Sequence, residues 1–108
     1  MRRARVAVCK TDELLPDTGK VCALGSEGGE CLVVFHQGRY YALGSLCPHQ
    51  NTPLNGAHAA ANTLICRRHG YRFDLNSGDC LTASGYGLPV YPVDVNDDFV
   101  YVSYWEYD

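Results

Sequence analysis

Residues 47–74 read CPHQNTPLNGAHAAANTLICRRHGYRFD. Two Cys and two His recur there in short spacings, Cys47-x-His49 and Cys66-x-x-His69. Residues two apart in an extended segment point to the same side, so Cys47 and His49 form a local pair. Pro48 fixes its own φ and biases Cys47 toward an extended backbone, which limits how far the loop can wander. The second pair has the spacing of a tight turn, and Gly70 supplies backbone freedom just after it. Sixteen residues separate His49 from Cys66, enough for a loop and a strand to return the second turn beside the first. The four side chains are therefore candidate metal ligands: Cys47, His49, Cys66 and His69.

Around this stretch the chain is ordinary globular material. Its 108 residues make one domain, 46% hydrophobic and 19% charged, which argues against disorder. A formal net charge of −3 does not suggest a nucleic-acid partner. Arg2, Arg3 and Arg5 are not followed by a signal-peptide core. Apolar runs are short, as in Leu32–Phe35, and none spans a membrane. The reading is a soluble cytoplasmic protein, in which six Cys are thiols or ligands rather than a disulfide framework. Cys9, Cys22, Cys31 and Cys80 lie in strand-like surroundings without partner spacing, and are read as small buried hydrophobes.

The pattern is β almost throughout. Arg5–Lys10 alternates in polarity, and Lys20–Leu24 does so more weakly. Cys31–His36 and Arg39–Leu43 are β-branched and aromatic and flank Gln37-Gly38, which predicts a hairpin. Leu64–Cys66 and Tyr71–Leu75 form a second short pair, and Cys80–Thr82 continues that strand beyond the turn Asn76–Asp79. Val90–Val95 and Phe99–Tyr104 make a final hairpin across Asn96–Asp98. The one helical candidate is a turn at Thr11–Leu15, capped by Thr11 or Asp12. Many short strands with Gly- and Pro-rich turns indicate a small all-β sandwich or barrel.

Two chemistries compete for the ligand set. Zinc takes two Cys and two His readily, but structural fingers of that type pair like with like along the chain. Here each loop offers one of each, as a two-iron cluster needs if one iron takes both thiolates and the other both imidazoles.

Cys-Pro-His with Pro53-Leu54, then Cys-x-x-His-Gly-Tyr-x-Phe-Asp at 66–74, then Ser77–Cys80, resembles the two cluster-binding boxes of Rieske [2Fe–2S] proteins. Gly87–Val93 and the closing hairpin extend the likeness over roughly residues 30–103. The resemblance implies an all-β fold of small antiparallel sheets, with a base at 1–44 and 85–108 and an inserted cluster-binding subdomain at about 45–84. It implies one [2Fe–2S] cluster, with Cys47 and Cys66 on the inner iron and His49 and His69 on the outer iron near the surface. Leu88-Pro89 would lie in a third loop that shields the cluster, and Leu54 with Pro53 would cover one face.

Respiratory members carry an extra Cys in each box, joined as a disulfide; Thr52 and Arg68 stand there in this chain. Their Ser after His-Gly, which bonds a cluster sulfide, is replaced by Tyr71. Losing hydrogen bonds to sulfur lowers the potential, so the resemblance implies a low-potential ferredoxin. Such a carrier is not an enzyme itself. It takes an electron from a flavin-dependent reductase and delivers it to a terminal oxygenase. The alternative is the small Rieske subunit of an assimilatory NAD(P)H nitrite reductase, whose large subunit would be the acceptor; a zinc-stabilised binding module is the reading from another class. Arg67, Arg68 and Arg72 are either solvated on an exposed turn or a basic collar that docks an acidic partner. His36 and His58 are read as ordinary exposed histidines, Phe73 as core, and Tyr101, Tyr104, Trp105 and Tyr107 as packing and sheet-edge residues.

Overall fold

The structure is a computed structural model that describes residues 2–25, 29–48, 51–67 and 70–106. Among the described residues, twelve strands run in chain order: β1 Arg2–Lys10, β2 Lys20–Ala23, β3 Glu30–His36, β4 Arg39–Gly44, β5 Leu46–Cys47, β6 Thr52–Pro53, β7 His58–Ala60, β8 Thr63–Ile65, β9 Arg72–Asp74, β10 Val90–Tyr91, β11 Val93–Asn96 and β12 Phe99–Glu106. They make four antiparallel sheets: β1-β12-β11, β10-β4-β3-β2, β7-β8-β9 and the pair β5-β6. This is the expected all-β class of small sheets, and its helical content among the described residues is one 3-10 turn at Thr11–Glu13. That turn is capped from Lys10, whose backbone N–H donates to the Glu13 carboxylate, rather than from Thr11 or Asp12.

The centre of the molecule is set by β3 and β4. Successive strand residues face opposite sides, and here both sides are apolar. Cys31, Val33 and Ala42 enter one core with Leu24, Val100 and Val102. Leu32, Val34 and Leu43 enter a second core with Cys47, Cys66, Phe73 and Leu88. The run CLVVF is thus unbroken because the strand is a wall shared by two cores. One core lies between the two larger sheets; the other is filled by the β5–β9 region.

The predicted hairpin at Gln37-Gly38 forms with φ 50 and 80, the conformation that two-residue hairpin turns need. The closing hairpin departs from expectation. Val90–Val95 is broken at Pro92, which has no N–H to give a ladder. Before it, Val90 and Tyr91 pair with Leu43 and Ala42 of β4; after it, Val93 pairs with Val102 of β12. The Pro92 carbonyl accepts from Ser103 N–H at 3.0 Å, so the chain changes sheet at this residue. β12 is consequently an inner strand rather than an edge. Across it, Arg5 of β1 lies 3.8 Å over the Tyr101 ring and bonds Asp94 of β11. Tyr107 lies outside the described residues. Cys80–Thr82 does not form a strand either: Cys80 makes a single bridge to Phe73, and its N–H is drawn to Tyr86 O at 3.3 Å.

Candidate metal centre

The segment before β2 laces the β5–β9 region to the base. Gly19 N–H donates to Ala57 O and Gly56 N–H to Gly19 O, both at 2.8 Å, and Ala59 N–H reaches Asp17 O at 2.9 Å. The Asn55 side chain accepts from Val21 N–H at 3.0 Å. These bonds hold residues 54–59, the loop that follows the first ligand pair, against the base sheet.

Cys47 and Cys66 are each 1% exposed and join the same core as Leu54, Phe73 and Leu88. Cys47 ends β5, opposite Thr52. Cys66 opens a closed turn: its N–H donates to Tyr71 O at 2.8 Å, and its carbonyl accepts from Gly70 N–H at 2.9 Å. Gly70 takes φ 70, the left-handed conformation that suits glycine. The backbone of the second ligand box is thereby fixed at both ends. His49, His69 and Arg68 lie outside the described residues.

Beside Cys66 opens a cleft of about 340 Å³ lined by Thr52, Pro53, Leu54, Asn55, Ala57 and Arg67. Leu54 is buried and Pro53 exposed, and both stand along one wall of the cleft. Leu88 belongs to the same core as both thiols. Pro89 packs where a Cβ on Gly44 would lie 2.9 Å from its Cδ, and its carbonyl accepts from Gly44 N–H, three residues before Cys47. The third loop is therefore latched to the strand that leads into the first box. Tyr71 is half-buried against this core, its ring 6.1 Å from that of Tyr86.

Two buried thiols of one core, one of them opening on a cleft, are the donor type that a metal group with sulfur ligands takes. A larger groove of about 470 Å³, lined by Arg3, Tyr91, Tyr104 and Trp105 among others, contains no thiol or imidazole.

The remaining thiols divide. Cys9, Cys22 and Cys31 are buried in the base core, as expected. Burial pushes the Cys31 thiol up to about 12, and Cys9 is pushed up by its hydrogen bond to Cys22 and then by burial. Cys80 corrects the expectation, being half-exposed. Its partial burial raises its pKa, but hydrogen bonds from the Thr82 side chain and the Thr82 and Ala83 backbone outweigh this and leave it lowered. The thiolate is the nucleophile, so Cys80 is expected to label first with iodoacetamide in the native protein. Labelling of Cys9, Cys22 or Cys31 before Cys80 by peptide mass spectrometry would contradict this.

His58 is exposed, as read from the sequence, but His36 is not. It is 3% exposed. Its Nδ1 lies 2.6 Å from Asp17 Oδ1, and its Nε2 accepts from Asn62 N–H at 3.2 Å. These partners assign a neutral ring with the proton on Nδ1. Asn62 sits in the turn between β7 and β8, where Ala61 takes φ 50 and Asn62 φ 63. Left-handed backbone is unfavourable for Ala, and the His36 bond helps hold it. His36 is a brace between the base and the β7–β9 sheet.

With this geometry in place, comparison with known proteins is specific. The family model for a Rieske-like [2Fe-2S] domain matches residues 5–103. The chain belongs to that family.

This Rieske-like domain is 32% identical over 91 residues to the ferredoxin component of the alkene monooxygenase system of Xanthobacter autotrophicus, covering 83% of this chain and 73% of that protein. The ferredoxin of carbazole 1,9a-dioxygenase from Nocardioides aromaticivorans matches it with a TM-score of 0.76 at 28% identity, over 92% of this chain and 96% of that one. The small subunit of nitrite reductase [NAD(P)H] from Erwinia carotovora matches with a TM-score of 0.74, also at 28% identity, over 96% and 84%. Membership brings with it a Rieske-type [2Fe–2S] cluster as cofactor and the role of electron carrier.

Proposed function

We propose that this Rieske-like domain is a low-potential one-electron carrier, without a reaction of its own, that links a flavin-dependent reductase to a terminal oxygenase. The observation that carries the oxygenase setting is the 32% identity to a monooxygenase-system ferredoxin over 73% of that protein's length. The nitrite reductase setting is the second reading, favoured by the likeness to a small subunit of that enzyme, with its large subunit as the acceptor.

In this reading Cys47 and Cys66 hold the inner iron, while His49 and His69 hold the outer iron at the protein surface. When bound, the [2Fe–2S] cluster accepts and returns a single electron, its imidazole ligands making reduction easier than an all-thiolate set would. The chain's own contribution is enclosure and rigidity. Leu54 and Leu88 exclude water from the thiol side, and the Cys66–Tyr71 and Gly44–Pro89 backbone bonds keep the loops from shifting between redox states. Tyr71 stands at the sequence position where the respiratory members have serine, and it carries its hydroxyl at the far end of a ring rather than on Cβ, which supports a low potential. The division into a base at 1–44 and 85–108 and a cluster-binding subdomain at about 45–84 is part of the same proposal; the two separate cores support it. Among the described residues no helix is long and apolar enough to cross a membrane. The cytoplasm is the proposed location, consistent with Cys9, Cys22, Cys31 and Cys80 standing as thiols rather than disulfides.

The deciding experiment is EPR of the anaerobically purified protein before and after dithionite. A rhombic signal that appears only on reduction, with the low average g of mixed nitrogen and sulfur ligation, is expected, and Cys66→Ala should abolish it. A colourless sample holding stoichiometric zinc, unchanged after iron–sulfur reconstitution, would replace the carrier by a binding module. Stopped-flow reoxidation of the reduced protein by an oxygenase component or by a nitrite reductase large subunit then separates the two settings.

A further inference from the structure

The chain has twelve acidic residues, and none lies between Ser45 and Phe73, where three of its nine basic residues fall. A protein of net charge −3 therefore carries a cationic stretch at its ligand boxes. The structure shows how the two described arginines of this stretch are placed. Arg67 and Arg72 are both exposed. Arg67 lines the cleft beside Cys66, with a guanidinium nitrogen 3.0 Å from where a Cβ on Gly56 would lie. Arg72 faces Ile65 across β8 and β9, and its carbonyl accepts from Leu81 N–H at 2.8 Å.

Neither arginine is in an ion pair with any described residue, whereas Arg5 on the base is paired with Asp94. The nearest carboxylate along the chain, Asp74, is occupied by its own turn, accepting from Asn76 and Ser77 N–H at 2.7 and 3.0 Å. Large apolar side chains stand exposed alongside: Leu46 at 45%, Leu81 at 56% and Tyr86 at 41%. Leu46 is paired with Pro53 at the cleft wall, and Tyr86 packs on Tyr71 beside Cys66. Exposed apolar side chains next to the ligand boxes, together with arginines that make no ion pair with a described residue, are the ingredients of a docking face.

We propose that this face receives the acidic surface of a redox partner protein, with Arg67 and Arg72 steering it to the cluster end against the net charge of the molecule. The inference rests on the electron-carrier reading and specifies the partner's charge. Long-range steering follows the local field where the charges are exposed and close to the contact, and salt weakens it.

The test uses the holoprotein and two inorganic probes. Reduced protein is oxidised in a stopped-flow cell by hexacyanoferrate(III), a trianion, or by tris(phenanthroline)cobalt(III), a trication. Each takes one electron from one reduced protein and becomes iron(II) or cobalt(II). Between ~10 mM and ~0.5 M salt, the rate with the anion should fall several-fold and that with the cation should rise. In the R67Q/R72Q double variant both slopes should shrink or invert. An anion rate that is flat or rises with salt in the wild type would overturn the proposal, because the net charge would then be in control. An independent equilibrium readout is line broadening by the redox-inert, paramagnetic hexacyanochromate(III). Broadening centred on the Arg72 and Leu81 amides supports the face; broadening confined to the amides of Arg2 and Arg3, or none, refutes it. A protein that never gains the reduced EPR signal would sink the carrier reading. A normal signal with the wrong salt slope would sink only the docking face.

Discussion

Gly78→Ala is expected to cost about 2–4 kcal/mol of stability and to release the third loop, its added Cβ making the shortest contact of any among the described glycines. A Cβ on Gly78 would lie 2.0 Å from the Leu88 carbonyl oxygen and 3.1 Å from its carbon. The atom it meets is backbone, which cannot rotate away like a side chain. The same residue ties its loop to Gly78, because Leu88 N–H donates to Gly78 O at 2.8 Å, and its side chain is buried in one core with Cys47 and Cys66. Gly78 also sits at φ +79, which alone costs an alanine about 1 kcal/mol. Gly38→Ala separates the two causes. Its φ is +80, and nothing lies within 4 Å of the Cβ position, so only the conformational cost remains. Urea unfolding of both variants, followed by far-UV dichroism and by the visible absorbance of the cluster, should show Gly78→Ala far below Gly38→Ala by both signals. Equal midpoints for the two would mean that the loop yields freely and that the Leu88 contact is not structural.

His36→Phe is expected to cost about 1–3 kcal/mol, because an aromatic ring is kept but both hydrogen bonds are lost. The phenyl ring offers no acceptor, so the part-buried Asn62 N–H would lose its protein partner. Asp17 fares better, because its side chain is 43% exposed and water can replace the lost donor. Most of the cost therefore sits on the β7–β8 turn, where Ala61 and Asn62 are already in left-handed backbone. Hydrogen exchange should find the Asn62 amide strongly deprotected in His36→Phe. His36→Gln, whose side-chain oxygen can take the place of Nε2, should restore part of both the stability and the protection. If His36→Phe exchanges at the wild-type rate at Asn62, the brace has no role and the turn is held by other bonds, among them Leu75 N–H to Asn62 O and Thr63 Oγ1 to Ala60 O.

The two histidines outside the ligand boxes show where sequence reading stops. His36 and His58 look alike in the chain, one beside a hairpin turn and the other in a loop between boxes. One is exposed; the other is buried because Asp17 and Asn62, 19 and 26 residues away, arrive on both sides of its ring. Cys80 errs in the opposite sense. A hydrophobic residue in a strand-like run suggested burial, but the chain bends after Asp79 toward Gly87 and leaves the thiol at the surface. The break at Pro92 had a visible cause in the missing N–H, yet which sheets the two halves join is a matter of partners. The β5-β6 pair and β7 went unread because they are two and three residues long, too short for period-2 alternation to register.

What the sequence determined by itself is what depends on near neighbours: the strand periodicity of β3 and β4, the left-handed turn at Gln37-Gly38, and the spacing within each ligand box, from which the family follows. Turn geometry and alternation are local, so a few adjacent residues suffice to specify them. Only the tertiary structure decided which faces of β3 serve which core, that His36 braces two sheets, and that Arg5 is paired with Asp94 while Arg67 and Arg72 are left free of ion pairs among the described residues. Those outcomes turn on contacts as distant as the 89 residues between Arg5 and Asp94, and a charge or a thiol carries no local mark of the partner that folding will bring to it.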